Sequence, residues 1–197
     1  MPQYASASKM TPTLILLQLL SVLHPVGGFV RWGLESRSAR VMALDASLVE
    51  QLSGEPSLTT FYSLLEGLPD LKTLMADESI GSGDGNIFTI FAPTNDAFKK
   101  LTKDQAFKLG KKENLSILRK LIRYHVHEDV LSKEDILEMR ELSTLALLPI
   151  TVKLVDGGKD FRLNEAKVIR ELELSGNGRI FEMDNLVNPV LLYRFMV

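Results

Sequence analysis

Residues 88–98 read Phe88-Thr89-Ile90-Phe91-Ala92-Pro93-Thr94-Asn95-Asp96-Ala97-Phe98, and this stretch decides the fold. With Ile87 before it, the β-rich run 87–91 predicts a buried strand. Pro93 has no N–H to offer a ladder and is expected to end the pairing. The Thr94 hydroxyl can cap the following turn, and Asp96 suits the positive end of that turn. Asn95 and Asp96 are expected to satisfy local backbone donors, while Phe98 returns to the core. The stretch is a strand-to-helix corner, so its role is scaffold and no catalysis is read into it.

Upstream, Leu58, Phe61, Tyr62, Leu64, Leu65 and Leu68 recur at helical spacing, with Ser57 as the expected N-cap and Pro56 before it. Gly67 and Pro69 interrupt, and Leu71, Leu74 and Met75 predict a second short helix. A glycine-dense loop fills 81–86. Downstream, Thr102 with Gln105 and Ser132 with Asp135 are capping pairs, and Gly110 is a helix stop. Asn114 is read as the cap of a helix whose inner face is Ile117, Leu118, Leu121, Ile122 and His125. Beyond residue 140 the period falls towards two, with strands expected over 150–155, 161–163, 167–174, 179–183 and 190–195. Asp156-Gly157-Gly158 and Gly176-Asn177-Gly178 are hairpin signals between them. Helices early and antiparallel strands late predict an α+β fold.

Three stretches then resemble the signatures of one family, the fasciclin domain. Residues 88–98 are similar to its first signature. Residues 118–127, LRKLIRYHVH, resemble its central helix ending in Tyr-His, here Tyr124-His125. Residues 176–187, Gly-Asn-Gly-Arg-Ile-Phe-Glu-Met-Asp-Asn-Leu-Val, are similar to its closing signature. Two departures stand out: Val126-His127 follows the Tyr-His pair, and Asn188-Pro189 precedes Val190. The resemblance covers about residues 57–192. It implies a single compact α+β domain, a wedge of β-strands packed with several helices, that acts in adhesion or protein–protein association. Tyr124 and His125 lie on the segment this family implicates in partner contact, and the residue pattern itself expects both to be buried and structural.

The chain has 197 residues, 23 basic and 25 acidic, for a net charge of −2. That balance argues against a nucleic-acid surface, and the basic residues Lys108, Lys111, Lys112, Arg119, Lys120 and Arg123 read as a solvated helical side. With no cysteine, disulfides, thiolate zinc sites and a cysteine nucleophile are excluded. The run Leu14-Ile15-Leu16-Leu17-Gln18-Leu19-Leu20-Ser21-Val22-Leu23 is shorter than the roughly 20 residues that span a membrane. It reads as a signal peptide over 1–28, with small residues at 26–28 marking a cleavage point. Over 29–41, Arg31, Arg37 and Arg40 stand against Glu35 alone, a transit-like or spacer segment opening on Phe29. The expected route is the secretory pathway, ending either in the plastid of a complex-plastid alga or outside the cell. Residues 42–56 read as a linker and 57–197 as the domain. Residues 1–41 carry +3, which leaves −5 on the remainder, and no membrane-spanning helix is expected there.

Chemistry finds little purchase. His125-x-His127 lacks a third ligand for a metal. The loop at 81–86 precedes a strand, whereas a phosphate cradle precedes a helix. A calcium loop starting at Asp77 would need Gly and Glu where Ser82 and Phe88 stand. No cofactor, metal or catalytic residue is expected. An enzyme reading, a small hydrolase, would require His125 or His127 to meet a carboxylate in an open polar cavity. Asn114-Leu115-Ser116 is a glycosylation sequon. The apolar tail 191–197 reads as a core strand or as a strip docking on a membrane complex, in which case the chain would be an accessory subunit of a photosynthetic complex.

Overall fold

The computed structural model describes residues 47–76, 86–172, 175 and 177–187. The presequence readings over 1–41, the glycine loop at 81–85, the strand over 190–195 and the tail 191–197 lie outside the described residues. Seven α-helices and seven strands occur among the described residues, so the mixed α+β reading holds. Strand β1 (Phe88–Pro93) pairs antiparallel with β2 (Val126–His127) and parallel with β7 (Gly178–Met183). Strands β3 (Glu141–Leu142), β4 (Ile150–Val155), β5 (Asp160–Leu163) and β6 (Ala166–Glu171) complete a sheet of order β2-β1-β7-β6-β5-β4-β3.

The parallel pair corrects the expectation of antiparallel strands throughout. All six residues of β1 are buried and five of six in β7. A strand covered on both faces loses the apolar–polar alternation from which pairing direction is read. Pro93, paired with Met183, is the last residue of that ladder and ends the pairing as expected. Along β4, β5 and β6 the sheet is antiparallel, and Asp156, Gly157 and Gly158 take the left-handed turn between β4 and β5 with φ of 52°, 69° and 85°.

The two faces of the central strands carry two apolar cores. Phe88, Ile90, Ala92 and Ile180 face one, built with helices α1 (Leu48–Gly54), α2 (Thr59–Glu66), α3 (Pro69–Ala76), α4 (Asn95–Lys99), α5 (Lys103–Leu109) and α6 (Leu115–Tyr124). Phe91, Phe181 and Met183 face the other, with Phe161, Ile150 and Ile136 of α7 (Lys133–Glu138). Phe181 stacks on Phe91 and meets the Phe161 ring edge-on, each at 5.8 Å between centroids.

Helix α1 lies where a linker is expected. Ser47 and Glu50 close a capping box at its start, and Leu48 and Leu52 are fully buried. The reading failed because a seven-residue helix gives fewer than two periods of pattern. Three other expectations change because a side chain read as a cap or a local bond finds its partner elsewhere, two of them across the fold and one six residues back. Ser57 does not cap α2 and instead donates to Glu182 Oε1. Asn114 makes no cap bond, and its Nδ2 donates to the Lys108 carbonyl. Asn95 accepts from the Thr60 N–H at 2.9 Å and donates to the Pro56 carbonyl at 2.8 Å, fastening α4 to the start of α2. The Thr94 cap and the capping boxes at Thr102/Gln105 and Ser132/Asp135 form as read.

Candidate functional site

Helix α6 carries Leu118, Leu121 and Ile122 on its buried side and delivers Tyr124 and His125 at its end. The His125 N–H closes the last turn on the Ile122 carbonyl at 2.9 Å, and its carbonyl accepts from the Phe91 N–H of β1 at 2.8 Å. The imidazole is wholly inaccessible to solvent. Its Nδ1 lies 2.8 Å from the Leu121 carbonyl, and its Nε2 accepts the Val187 N–H at 3.1 Å. A carbonyl only accepts and a backbone N–H only donates, so these partners assign the neutral ring with its proton on Nδ1. Burial pushes its pKa down to about 4, partly opposed by the Leu121 bond.

Tyr124 turns into the second core, where it is 2% exposed. Its hydroxyl donates to the Pro149 carbonyl at 2.8 Å and receives the Asn164 Nδ2 at 3.3 Å. Asn164 takes a left-handed conformation, φ 54°, and its Nδ2 also donates to the Val187 carbonyl at 2.9 Å. Its Oδ1 receives the Thr151 N–H at 3.1 Å. Val187 is therefore gripped at both ends, its N–H by His125 and its carbonyl by Asn164. The Tyr-His pair and the end of the closing signature form a single hydrogen-bond cluster. Sequence reasoning missed Asn164; its signal was an Asn in the turn between two strands, the residue type that best tolerates positive φ after Gly.

The opening of the closing signature does similar work. Asn177 is fully buried, accepting from the Leu48 N–H at 2.8 Å and donating to the Met75 carbonyl at 2.7 Å. A Cβ on Gly178 would stand 2.1 Å from the Phe88 carbonyl oxygen, so only glycine lets β7 approach β1 there. Glu182, with a side chain 5% exposed, is gripped by Arg170, which also pairs with Glu55. Burial works against the Glu182 charge, but the Arg170 and Ser57 hydrogen bonds outweigh it and hold the carboxyl below its ordinary value.

The two histidines are not brought together as a ligand pair. His127 Nδ1 lies 2.8 Å from the Ser143 carbonyl, on the strand β2, with its own separate partner. Among the described residues no group of three or more His, Asp or Glu could hold a metal ion. No described helix is long and apolar enough to cross a membrane. Within the basic helical side, Arg119 pairs with Asp70 at 2.9 Å and Lys108 with Asp104 at 2.9 Å.

Comparison with known proteins places these contacts in a wider setting. A sequence profile of the fasciclin domain matches residues 56–189. Protein sll1483 of Synechocystis is 29% identical over 143 residues, 73% of each chain. Immunogenic protein MPT70 of Mycobacterium tuberculosis is 28% identical, over 70% of this chain and 66% of its own. Human periostin is 31% identical over 74% of this chain but only 16% of its own length. Among solved structures, a domain pair from the insect cell adhesion molecule Fasciclin I superposes with a TM-score of 0.61 at 17% identity. That match covers 75% of this chain, which spans about half, 52%, of the insect one.

Proposed function

This chain belongs to the fasciclin domain family, and on that premise we propose that it is a non-catalytic module for adhesion or protein–protein association. One observation carries the reading. The polar atoms of Tyr124 and His125 are spent on backbone and side-chain partners inside the fold, which leaves them no group with which to touch a substrate. Tyr124 and His125 then serve partner contact indirectly, by holding α6 and residue 187 in place. The module spans more than the sequence suggested, because α1 contributes Leu48 and Leu52 to the core.

Capture on immobilised chain, followed by titration of each retained protein as a purified pair, tests this. Specific association is expected without turnover of ester or peptide substrates. Tyr124→Phe is expected to lower Tm and leave association intact below that temperature. Ester hydrolysis that disappears in His127→Ala, or association lost in Tyr124→Phe at unchanged Tm, would overturn it.

A second reading concerns destination. The apolar run at 14–23 supports entering the secretory route, and the Arg-rich, acid-poor 29–41 with Phe29 at its head supports onward import into a plastid. There the chain would be an accessory subunit on a membrane complex. A fluorescent fusion of residues 1–45 is expected in plastids, and export to the medium sinks the idea.

A further inference from the structure

The geometry points to a receptor for an acidic segment of a partner protein, one carboxylate beside a bulky apolar side chain, in the groove between α6 and the turn at 144–148. This deepens the interaction-module reading and rests on it. The groove holds about 270 Å³, lined on one side by Arg119, Lys120 and Arg123 and on the other by Leu145, Ala146 and Leu147. Such a volume suits one or two side chains and is small for a cofactor-sized ligand.

Arg123 is the first reason. It is partly buried, and its Nε is shielded from water with no hydrogen-bond partner among the described residues. Arginine is seldom withdrawn from water without a paired anion, since each N–H that loses water needs an acceptor. Arg119, one turn away, pairs among the described residues with Asp70, in a pair about half exposed on both sides. An exposed pair of that kind contributes little, so an incoming carboxylate can replace Asp70 at small cost.

Leu147 is the second. It is 89% exposed and has φ 57°, a left-handed backbone that a leucine rarely adopts. The conformation is imposed by the turn: the Leu147 N–H bonds the Thr144 carbonyl at 2.8 Å, and the Thr144 hydroxyl bonds the Leu148 carbonyl at 2.8 Å. A bulky apolar side chain held out in water by a strained turn, beside a guanidinium whose Nε has no partner among the described residues, has the form of a clamp awaiting a covering surface.

Charge is the third. Residues 99–123 contain nine Lys or Arg and two Asp or Glu, a local +7 in a chain of −2. Lys99, Lys100, Lys108 and Arg119 pair with Asp96, Asp184, Asp104 and Asp70, and the excess that lines the groove itself, Arg119, Lys120 and Arg123, favours an acidic segment there. The apolar wall of Leu145 and Leu147 separates this partner from a plain polyanion, which has nothing to place against it.

Fluorescence anisotropy on the full chain tests the assignment, with a labelled peptide alternating Asp and Leu as the probe. Matched peptides carry Asn for Asp, or Ser for Leu. The Asp–Leu peptide is expected to bind, with both controls weaker by tenfold or more. Arg123→Gln is expected to weaken binding about tenfold and Leu147→Gly about fivefold, while Tm is unchanged in the first and unchanged or raised in the second. Equal binding of the Asp–Leu and Asp–Ser peptides, or of a phosphatidylserine vesicle or oligonucleotide in preference to either, would reassign the groove to generic anion binding. No peptide binding, or binding indifferent to both substitutions, overturns the proposal. A captured native partner that binds wild type and Arg123→Gln equally would remove the groove and leave the interaction module standing. Absence of any protein partner would remove both.

Discussion

His125 is a titratable group spent on structure, and its titration can be read as stability. Folded, its pKa is about 4 against 6.5 for an unperturbed histidine. Between those values the unfolded chain binds the proton and the folded one does not. The neutral ring's contribution is therefore complete above pH 6.5 and is lost as pH falls from 6.5 towards 4, by about 3 kcal/mol in all. Protonation places an N–H at Nε2 against the Val187 N–H, so the loss is local to the cluster that grips residue 187. Urea midpoints at pH 7.5 and 4.5 check this: wild type should lose about 2–3 kcal/mol more than His125→Asn, which has no group to titrate. Gly178 is the other residue whose identity follows from a single distance. A methyl there meets the Phe88 carbonyl and Leu48 together. Gly178→Ala is expected to cost about 3 kcal/mol or more, because backbone on one side cannot yield as a side-chain tip would. Thermal unfolding measures it.

At the scale of elements, the capping boxes of α5 and α7 are short-range devices and behave independently. Thr102→Ala and Ser132→Ala should each lower stability by about 1 kcal/mol, and additively, since the two boxes share no bonds in the structure. Differential scanning calorimetry of the two singles and the double tests that, and a double far from the sum would show the helices coupled. These boxes were legible in the sequence because both partners sit three residues apart. Strands β4 and β5 were legible for the same reason, through alternation and the Asp-Gly-Gly turn. What escaped reading was whatever joins distant stretches. Asn95 and Asn177 look like turn residues in the chain, yet each fastens backbone from another element. The direction of the β1–β7 pairing was hidden because burial on both faces erases the period that reports it. The site followed the same rule: Tyr124 and His125 were found through a motif, but Asn164 and Val187, which complete their hydrogen bonds, lie 40 and 62 residues further on.

For the molecule as a whole, those long-range bonds decide where the domain begins. Helix α1 packs Leu48 and Leu52 into the first core with no exposed surface left on either, and Val49 is 6% exposed. Burying such side chains is worth about 1.5–3 kcal/mol each. The helix also supplies the Leu48 N–H that satisfies Asn177, at the point where β7 enters the sheet beside β1. Removing α1 thus subtracts about 4.5–9 kcal/mol of apolar burial and leaves a buried amide oxygen short of one partner. A domain of this size has typically about 5–15 kcal/mol in total. A chain beginning at Glu55 keeps the whole stretch matched by the family profile, residues 56–189, and still should not unfold cooperatively in urea. Leu48→Ala with Leu52→Ala in the full chain should fold but lose several kcal/mol, separating the loss of packing from the loss of the segment. If the Glu55 chain instead melts cooperatively with a midpoint near that of the full chain, α1 is an ornament on the domain, and Asn177 holds its place without the Leu48 N–H.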